Sequence, residues 1–542
     1  MSLMFHVLFS ASTFLAFICL VAFYHIWFRP RFSPLLSLPG PKSPSFIWGN
    51  LGEILVSGPG ELHARWLQQF GAVLTYKGFL NTNRLFTHDT RAIAHVLSHP
   101  DDFPKPPEVR SALARILGRG LLSSEGRDHR KQRKILNVAF SSQNIRDFTE
   151  LFFESALELR DTWLEMISES TDSPDSVKLD ALDWLARVTL DVIGIAGFGY
   201  RFNAVRSPDE DKDAMAAAFY LGAESGRPMP ILRSLIPILR IWPSEREVRV
   251  QNSLKVLRDI GRKLITAKKD ALHKSVEGGK LEKESFQGRD VLTLLLRANM
   301  SSHVPHGTRL SDEEVLCQVP TFMVAGHETT SSATSWCLYS LATNPEVQRK
   351  LREELCRVET DRPSIDVLNS LQYLDWVLRE TLRLHAHVPS SMRIAVKDTV
   401  IPLGAPMTDR NGTEISEVRV QRGDGINIPI ITLNRSTEFW GEDAMQFRPE
   451  RWADLPEAVM NIPGVWGGLM TFLGGSRSCI GYKFAIAEMK ALIFTMVRTF
   501  AFEMADTDIE IVKRSGIVTR PFVKSQLEKG NQMPLKVSIL RE

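Results

Sequence analysis

The chain is expected to be mainly α: one large helical domain with small peripheral β-sheets, preceded by an N-terminal transmembrane helix. Three observations predict this. The first 28 residues carry no Asp, Glu, Lys or Arg. A long apolar run between Val315 and Asn344 has helical rather than strand character. Alternating apolar runs are few and short. With 542 residues, 44% hydrophobic and 24% charged, the chain can bury a large core, so disorder is not its dominant state. A net charge of +3, with Lys and Arg spread along the chain, excludes nucleic acid as a partner. The five cysteines, Cys19, Cys317, Cys337, Cys356 and Cys479, are scattered and form no CxxC pair, which fits a reducing compartment.

Residues 1–28 are expected to be the membrane anchor. Met4 to Phe28 is long enough as a helix to cross a hydrocarbon core of about 30 Å. It has neither the basic start nor the short apolar run of a cleaved signal peptide. Arg29, Arg31 and Lys42 follow it, and basic flanks stay cytosolic, which places the remainder in the cytosol. Residues 29–50 hold Pro30, Pro34, Pro39, Pro41 and Pro44, a spacing that stops helix and sheet alike and predicts a stiff linker. Residues 51–542 show no second linker and no internal repeat, so they form a single domain. Within it, "AVLTYKGF" near Val73 and "MPLKVSIL" near the end read as strands. "SPDEDKD" from Ser207 and the polar stretch after Lys274 read as surface loops.

Ser311 and Glu314 form a capping box for the long apolar helix, which Pro345 stops. A helix apolar nearly all round passes through the middle of a molecule. Pro320 within it predicts a bend. In "AGHETT" the small Ala325 and Gly326 leave an opening on one face beside Glu328 and Thr329. The plainer alternative is close helix packing, with the threonine hydroxyls bonded to the preceding turn. An acid at mid-helix in a core is costly without a partner, which points to function. The helix from Ser370 turns Leu374, Val377, Leu378, Thr381 and Leu382 inward and ends before Pro389. On it Glu380 and Arg383 are neighbours, and Arg451 in "FRPERW" is placed to dock on Glu380.

In "FLGGSRSCIG", from Phe472 to Gly481, the glycines permit close backbone approach and Cys479 precedes a helix starting near Gly481. A helix N-terminus and the nearby Arg477 are expected to lower its thiol pKa, making Cys479 a thiolate. A thiolate serves as a nucleophile or as a metal ligand. The first needs a His base, which the neighbouring sequence lacks; the second needs further ligands from elsewhere, such as the ring nitrogens of a haem.

These motifs resemble the cytochrome P-450 superfamily, in particular microsomal haem-thiolate monooxygenases of a fungal, basidiomycete-like type. The cysteine loop F-x-x-G-x-R-x-C-x-G is matched by Phe472, Gly475, Arg477, Cys479 and Gly481. The oxygen-activation motif [AG]-G-x-[DE]-T-[ST] is matched by Ala325, Gly326, Glu328, Thr329 and Thr330. Glu380 and Arg383 match E-x-x-R, and Arg451 matches the arginine of the P-E-R-F-like motif, with Trp452 in place of phenylalanine. The four motifs stand in family order, and the resemblance runs from about Pro39 to the end.

The resemblance implies the P-450 fold and haem b (iron protoporphyrin IX) as cofactor. Cys479 would be the axial ligand, Phe472 would pack over its sulfur, and Arg477, Arg393, His129 and Arg133 would serve the propionates. The family often has tryptophan where His129 stands. Thr329 would hold O2 by hydrogen bond, and Glu328 with ordered water would feed protons. Electrons would come from NADPH through a membrane-bound NADPH-cytochrome reductase, with cytochrome b5 as a second donor, at the endoplasmic reticulum membrane. The three-way contact of Glu380, Arg383 and Arg451 would be structural.

The substrate would be a lipophilic small molecule, a terpenoid or other secondary metabolite. The segments shaping its site would be those from Phe103, from Tyr200 to Trp242, at the start of the central helix, and from His387. The apolar Pro228–Pro243 stretch is placed to dip into the lipid bilayer or else to form an ordinary core helix broken by Pro237. Two other classes compete: a reductase-independent haem-thiolate isomerase or dehydratase, and a haem-binding protein without turnover.

Overall fold

The computed structural model describes residues 31–170, 173–206, 244–278, 290–300, 309–515 and 518–540, with Thr13, Leu20, Phe23, Tyr24 and Phe28 besides. The expected anchor over residues 1–28 lies outside the described residues apart from those five positions, and so do the Pro228–Pro243 stretch and "SPDEDKD". Among the described residues no helix is long and apolar enough to cross a membrane.

Helices dominate and the sheets are small. Strands β1 (Val73–Lys77) and β2 (Asn83–Thr87) form a hairpin. β3 (Ser176–Asp180) pairs far along the chain. β4 (Ser391–Ile394), β5 (Thr399–Thr408), β6 (Glu414–Val420) and β7 (Gly425–Ile428) follow, then β8 (Phe500–Met504), β9 (Ile511–Ser515), β10 (Thr519–Val523) and β11 (Pro534–Ile539). Their sheets run in the orders β1-β2-β7-β4, β3-β11-β8, β5-β6 and β10-β9. Only β2 with β7 is parallel among these pairings.

The helices that build the site are α1 (Thr90–Ser98), α2 (Gly126–Ala139), α3 (Thr149–Ser168), α4 (Ala181–Phe198), α5 (Asp312–Leu316), α6 (Gln318–Met323), α7 (Thr329–Ala342), α8 (Pro345–Cys356), α9 (Gln372–Leu384) and α10 (Tyr482–Thr499). The core is continuous: α10 packs on α3, and α7 packs on α4, α9 and α10. Every one of Leu374, Val377, Leu378, Thr381 and Leu382 is buried on α9.

The central helix is segmented rather than straight. Ser311 and Glu314 close a capping box at α5. The break comes at Cys317 (φ −66°, ψ −17°), a turn before the bend expected at Pro320, whose missing N–H cannot bond back to Leu316. A π turn, Val324–Glu328, then separates α6 from α7. Pro345 does not merely stop this helix: it starts α8 as its first residue, where a missing N–H costs nothing.

The proline-rich stretch does not stand off as a linker from Ser33 onward. Leu35 and Leu38 are buried in the core, the Thr75 amide donates to the Pro39 carbonyl (2.8 Å), and Ser33 bonds Asp424. Prolines rule out helix and sheet, but they do not prevent their apolar neighbours from packing. The polar stretch after Lys274 is also partly helical, since the helix Glu245–Gly278 runs into it.

Candidate functional site: the cysteine loop and the π turn of the central helix

The loop from Phe472 to Gly481 is held by its own backbone. The Cys479 amide donates to the Phe472 carbonyl (2.9 Å) and the Ser478 amide to the Gly475 carbonyl (3.1 Å). Gly475 has φ +68°, and a Cβ there would lie 2.6 Å from the Leu97 carbonyl oxygen at the end of α1. Gly474 is tighter still, with a Cβ there closer to the Pro463 carbonyl oxygen. These two glycines therefore allow the loop to press on protein backbone. Gly481 is different: among the described residues a Cβ would meet nothing nearer than Phe140 at 3.8 Å, so no protein neighbour requires glycine there. The Phe472 ring stacks edgewise on Trp466 and lies beside Tyr482.

Cys479 has accessible area and yet lies deep among protein atoms. Burial pushes its thiol up, against the Gly481 amide and the Arg133 charge, which favour the anion. The expectation of an intrinsically lowered pKa is thus overturned: removal from water outweighs one amide and one guanidinium. Such a thiol is a poor free nucleophile, but a metal deprotonates a coordinating thiol outright.

Arg133 donates to the Ser478 carbonyl (2.6 Å) and to Asn137 (3.0 Å). Through these contacts it braces the cysteine loop. His129, on the same helix α2, is buried. Arg393 on β4 donates one nitrogen to Ser391 (2.7 Å) and the Met392 carbonyl (2.9 Å), and its Nη2 is buried with no hydrogen-bond partner among the described residues. Arg477 forms an ion pair with Glu125, and its Nε and Nη1 are likewise buried and unpartnered. Unmade bonds on buried guanidinium groups are costly, so these arginines fit an anionic ligand of the size and charge of a porphyrin's carboxylates. A thiol with accessible area, on the loop that carries Arg477, together with these two arginines is a donor set that suits haem.

Facing space from the central helix, Val324, Ala325, Gly326 and Thr329 are partly exposed while the flanking turns are buried. Gly326, however, does not create the opening. A Cβ on it would lie 2.7 Å from Ile193 of α4, so its hydrogen serves helix packing. The Thr329 hydroxyl donates to the Ala325 carbonyl (2.7 Å), leaving its lone pairs free to accept. Thr189 of α4 donates to the His327 carbonyl (3.1 Å), which satisfies an acceptor in the π turn.

Glu328 has a partner that sequence reasoning missed. Arg520 of β10 donates to Glu328 Oε1 through Nε (2.8 Å) and through Nη2, both residues being buried. Burial raises the Glu328 pKa above the ordinary 4.5 even with Arg520 opposing it. Separated by 192 positions, the pair leaves no local signal in the chain. Only the unbalanced acid in an apolar helix hinted that a cation must exist.

Glu380 accepts from Arg383 Nε (2.9 Å) and Nη2 (2.8 Å), Arg451 Nε (2.9 Å), the Arg448 amide (3.0 Å) and Trp452 Nε1 (3.1 Å). The tryptophan that departs from the family pattern therefore adds an N–H donor. Arg383 also reaches the carbonyls of Asn434 and Ala444, and Arg451 reaches Asp443. This knot joins α9 to the segment that leads into the cysteine loop.

Comparison with known proteins agrees with this geometry. Residues 39–527 match the family model described as Cytochrome P450. The chain is 48% identical over 508 residues, 93% of each chain, to Cytochrome P450 monooxygenase 205 of Postia placenta. It is also 48% identical over 514 residues to monooxygenase 128 of that fungus, covering 94% of this chain and 93% of the relative. A third relative, Cytochrome P450 monooxygenase claO of Ampulloclitocybe clavipes, is 35% identical over 523 residues, 94% of each chain. The chain therefore belongs to the cytochrome P450 family and is a haem-dependent monooxygenase of fungal type.

Proposed function

We propose that the protein inserts one oxygen atom of O2 into a C–H bond of a lipophilic small molecule, a terpenoid or another secondary metabolite of a fungal pathway. Electrons come from NADPH through a partner reductase, with cytochrome b5 as an additional donor. Residues 1–28 anchor the chain in the endoplasmic reticulum membrane with the domain in the cytosol. The observation that carries the reading is the partly exposed Thr329 hydroxyl next to a buried acid of raised pKa, Glu328, where the π turn meets α7.

Cys479, Arg477 and Arg393 are the residues that hold haem b in this reading. Bound haem supplies oxygen activation, and thiolate donation favours O–O cleavage. The chain itself supplies position and protons. Thr329 rotates its hydroxyl between the Ala325 carbonyl and a ligand in the cavity, so it can both accept and donate. Glu328, held by Arg520, carries a proton when its carboxyl is neutral, and burial brings that state closer to neutral pH. The largely buried α6 and α7 exclude bulk water from that face.

Lipophilic substrate is supported by the apolar composition of Pro228–Pro243. The test is co-expression with a fungal reductase followed by untargeted comparison of metabolites. A new oxygenated product that vanishes in Thr329→Ala, while NADPH is still consumed and peroxide released, supports the proposal. Turnover without NADPH or reductase would instead favour an isomerase or dehydratase.

A further inference from the structure

Glu125 immediately precedes α2, yet its carboxylate does not cap that helix. It turns toward three cations. Oε1 accepts from the Lys105 backbone amide (3.2 Å) and lies 3.4 Å from Lys105 Nζ, while Oε2 is paired with Arg477. Arg393 is close enough to feel its charge. All four groups are sequestered: side-chain exposure is 17% for Lys105, 9% for Glu125 and 5% for Arg477, and Arg393 is 2% exposed. Burial, with Arg393 and Arg477 adding repulsion, pushes the Lys105 amine down to about 8 despite Glu125.

Charge balance then decides what the cluster is for. Lys105, Arg393 and Arg477 against Glu125 leave an excess of two positive charges in a region shielded from water. Among the described residues, Arg477 Nε and Nη1 and Arg393 Nη2 have no hydrogen-bond partner. A buried excess of this kind is expensive unless a dianion joins it, and haem carries two carboxylates. A third cation without Glu125 would overshoot that requirement.

We infer that Glu125 is a resident carboxylate of the haem seat: it offsets Lys105, holds Arg477 by one edge of its guanidinium, and so keeps the cofactor's environment near neutral. This rests on Cys479 and the two arginines binding haem. Glu125 competes with a cofactor carboxylate for Arg477, so it loosens the hold on haem. Its negative charge also disfavours the added electron on reduction. Lys105 acts in the opposite sense on both counts.

The test uses the full-length holoprotein and the variants Glu125→Gln and Lys105→Met. It measures the haem midpoint potential by spectroelectrochemistry and the rate of haem transfer to an excess of an acceptor apoprotein. Glu125→Gln keeps an oxygen acceptor for the Lys105 amide. Its potential is expected to move positive and its haem release to slow several-fold. Lys105→Met is expected to move the potential negative and to release haem several-fold faster. A Glu125→Gln protein with unchanged potential, or one that loses haem faster with no positive shift, overturns the inference and reduces Glu125 to a brace for Lys105. If that variant does not fold, an unchanged potential in Lys105→Met overturns it alone. Failure of the parent protein to give the carbonyl spectrum of a thiolate haem would instead sink the haem-binding assignment.

Discussion

Replacing Arg520 with methionine is expected to raise the pH at which Glu328 ionises, because it removes the cation that opposes burial there. Arg520 and Glu328 are both buried, and Arg520 donates two hydrogen bonds to Glu328 Oε1. Two unit charges about 4 Å apart attract by about 4 kcal/mol at an effective dielectric of ~20. Breaking a buried pair costs about 3–5 kcal/mol. That loss falls on the ionised form of Glu328 alone, so the neutral acid is favoured. The sign follows from the protonation states. Burial already favours the neutral acid, so Glu328 helps folding most below the ordinary 4.5 and loses that contribution as pH rises through its elevated value. Without Arg520 the neutral form persists to higher pH. Difference infrared spectroscopy measures this on the purified holoprotein: the protonated-carboxyl band missing from Glu328→Gln is followed against pH in the parent and in Arg520→Met. Identical titrations in the two proteins would refute the reasoning. In turnover, the variant is expected to deliver protons over a range extended toward alkaline pH, read as product formed per NADPH consumed.

Other perturbations test the scaffold. Glu380→Gln leaves Arg383 without its buried anion and is expected to cost about 3–5 kcal/mol, seen as a large fall in yield of folded holoprotein. Trp452→Phe removes one of the donors to Glu380 and is expected to cost about 1.5–3 kcal/mol, read from urea unfolding midpoints of the two variants. Gly475→Ala, at φ +68° and with its Cβ 2.6 Å from the Leu97 carbonyl, is expected to abolish haem incorporation, read from the absorbance of the reduced carbonyl complex. Gly326→Ala overpacks Ile193 and is expected to lower stability by about 1–3 kcal/mol, with thermal denaturation showing rescue by Ile193→Ala. Cys479→Ser is expected to lose the thiolate-type carbonyl band, with free thiols unchanged elsewhere.

Much of the architecture is legible in the chain because it depends on local pattern. The capping box at Ser311, the inward stripe of α9 and the strand alternation at Val73 each follow from periodicity over a few residues. Charge and flanking residues place Arg451 against Glu380, and the structure sets them 2.9 Å apart. Glycine was harder to read. The sequence marks where a Cβ is missing without saying what fills the gap, which turned out to be Ile193 at Gly326 and the Leu97 carbonyl at Gly475.

By itself the sequence determined the helical class, the segment order, the buried acid and the lone cysteine before a helix, because these are properties of neighbours along the chain. Tertiary structure decided which partners those groups meet. Arg520 reaches Glu328 across 192 positions, Glu125 lies among Lys105, Arg393 and Arg477, and Arg133 serves the cysteine loop's backbone. It also reversed the expected direction at Cys479, because a pKa follows the balance of desolvation and charge in three dimensions, and burial there outweighs the nearby amide and guanidinium.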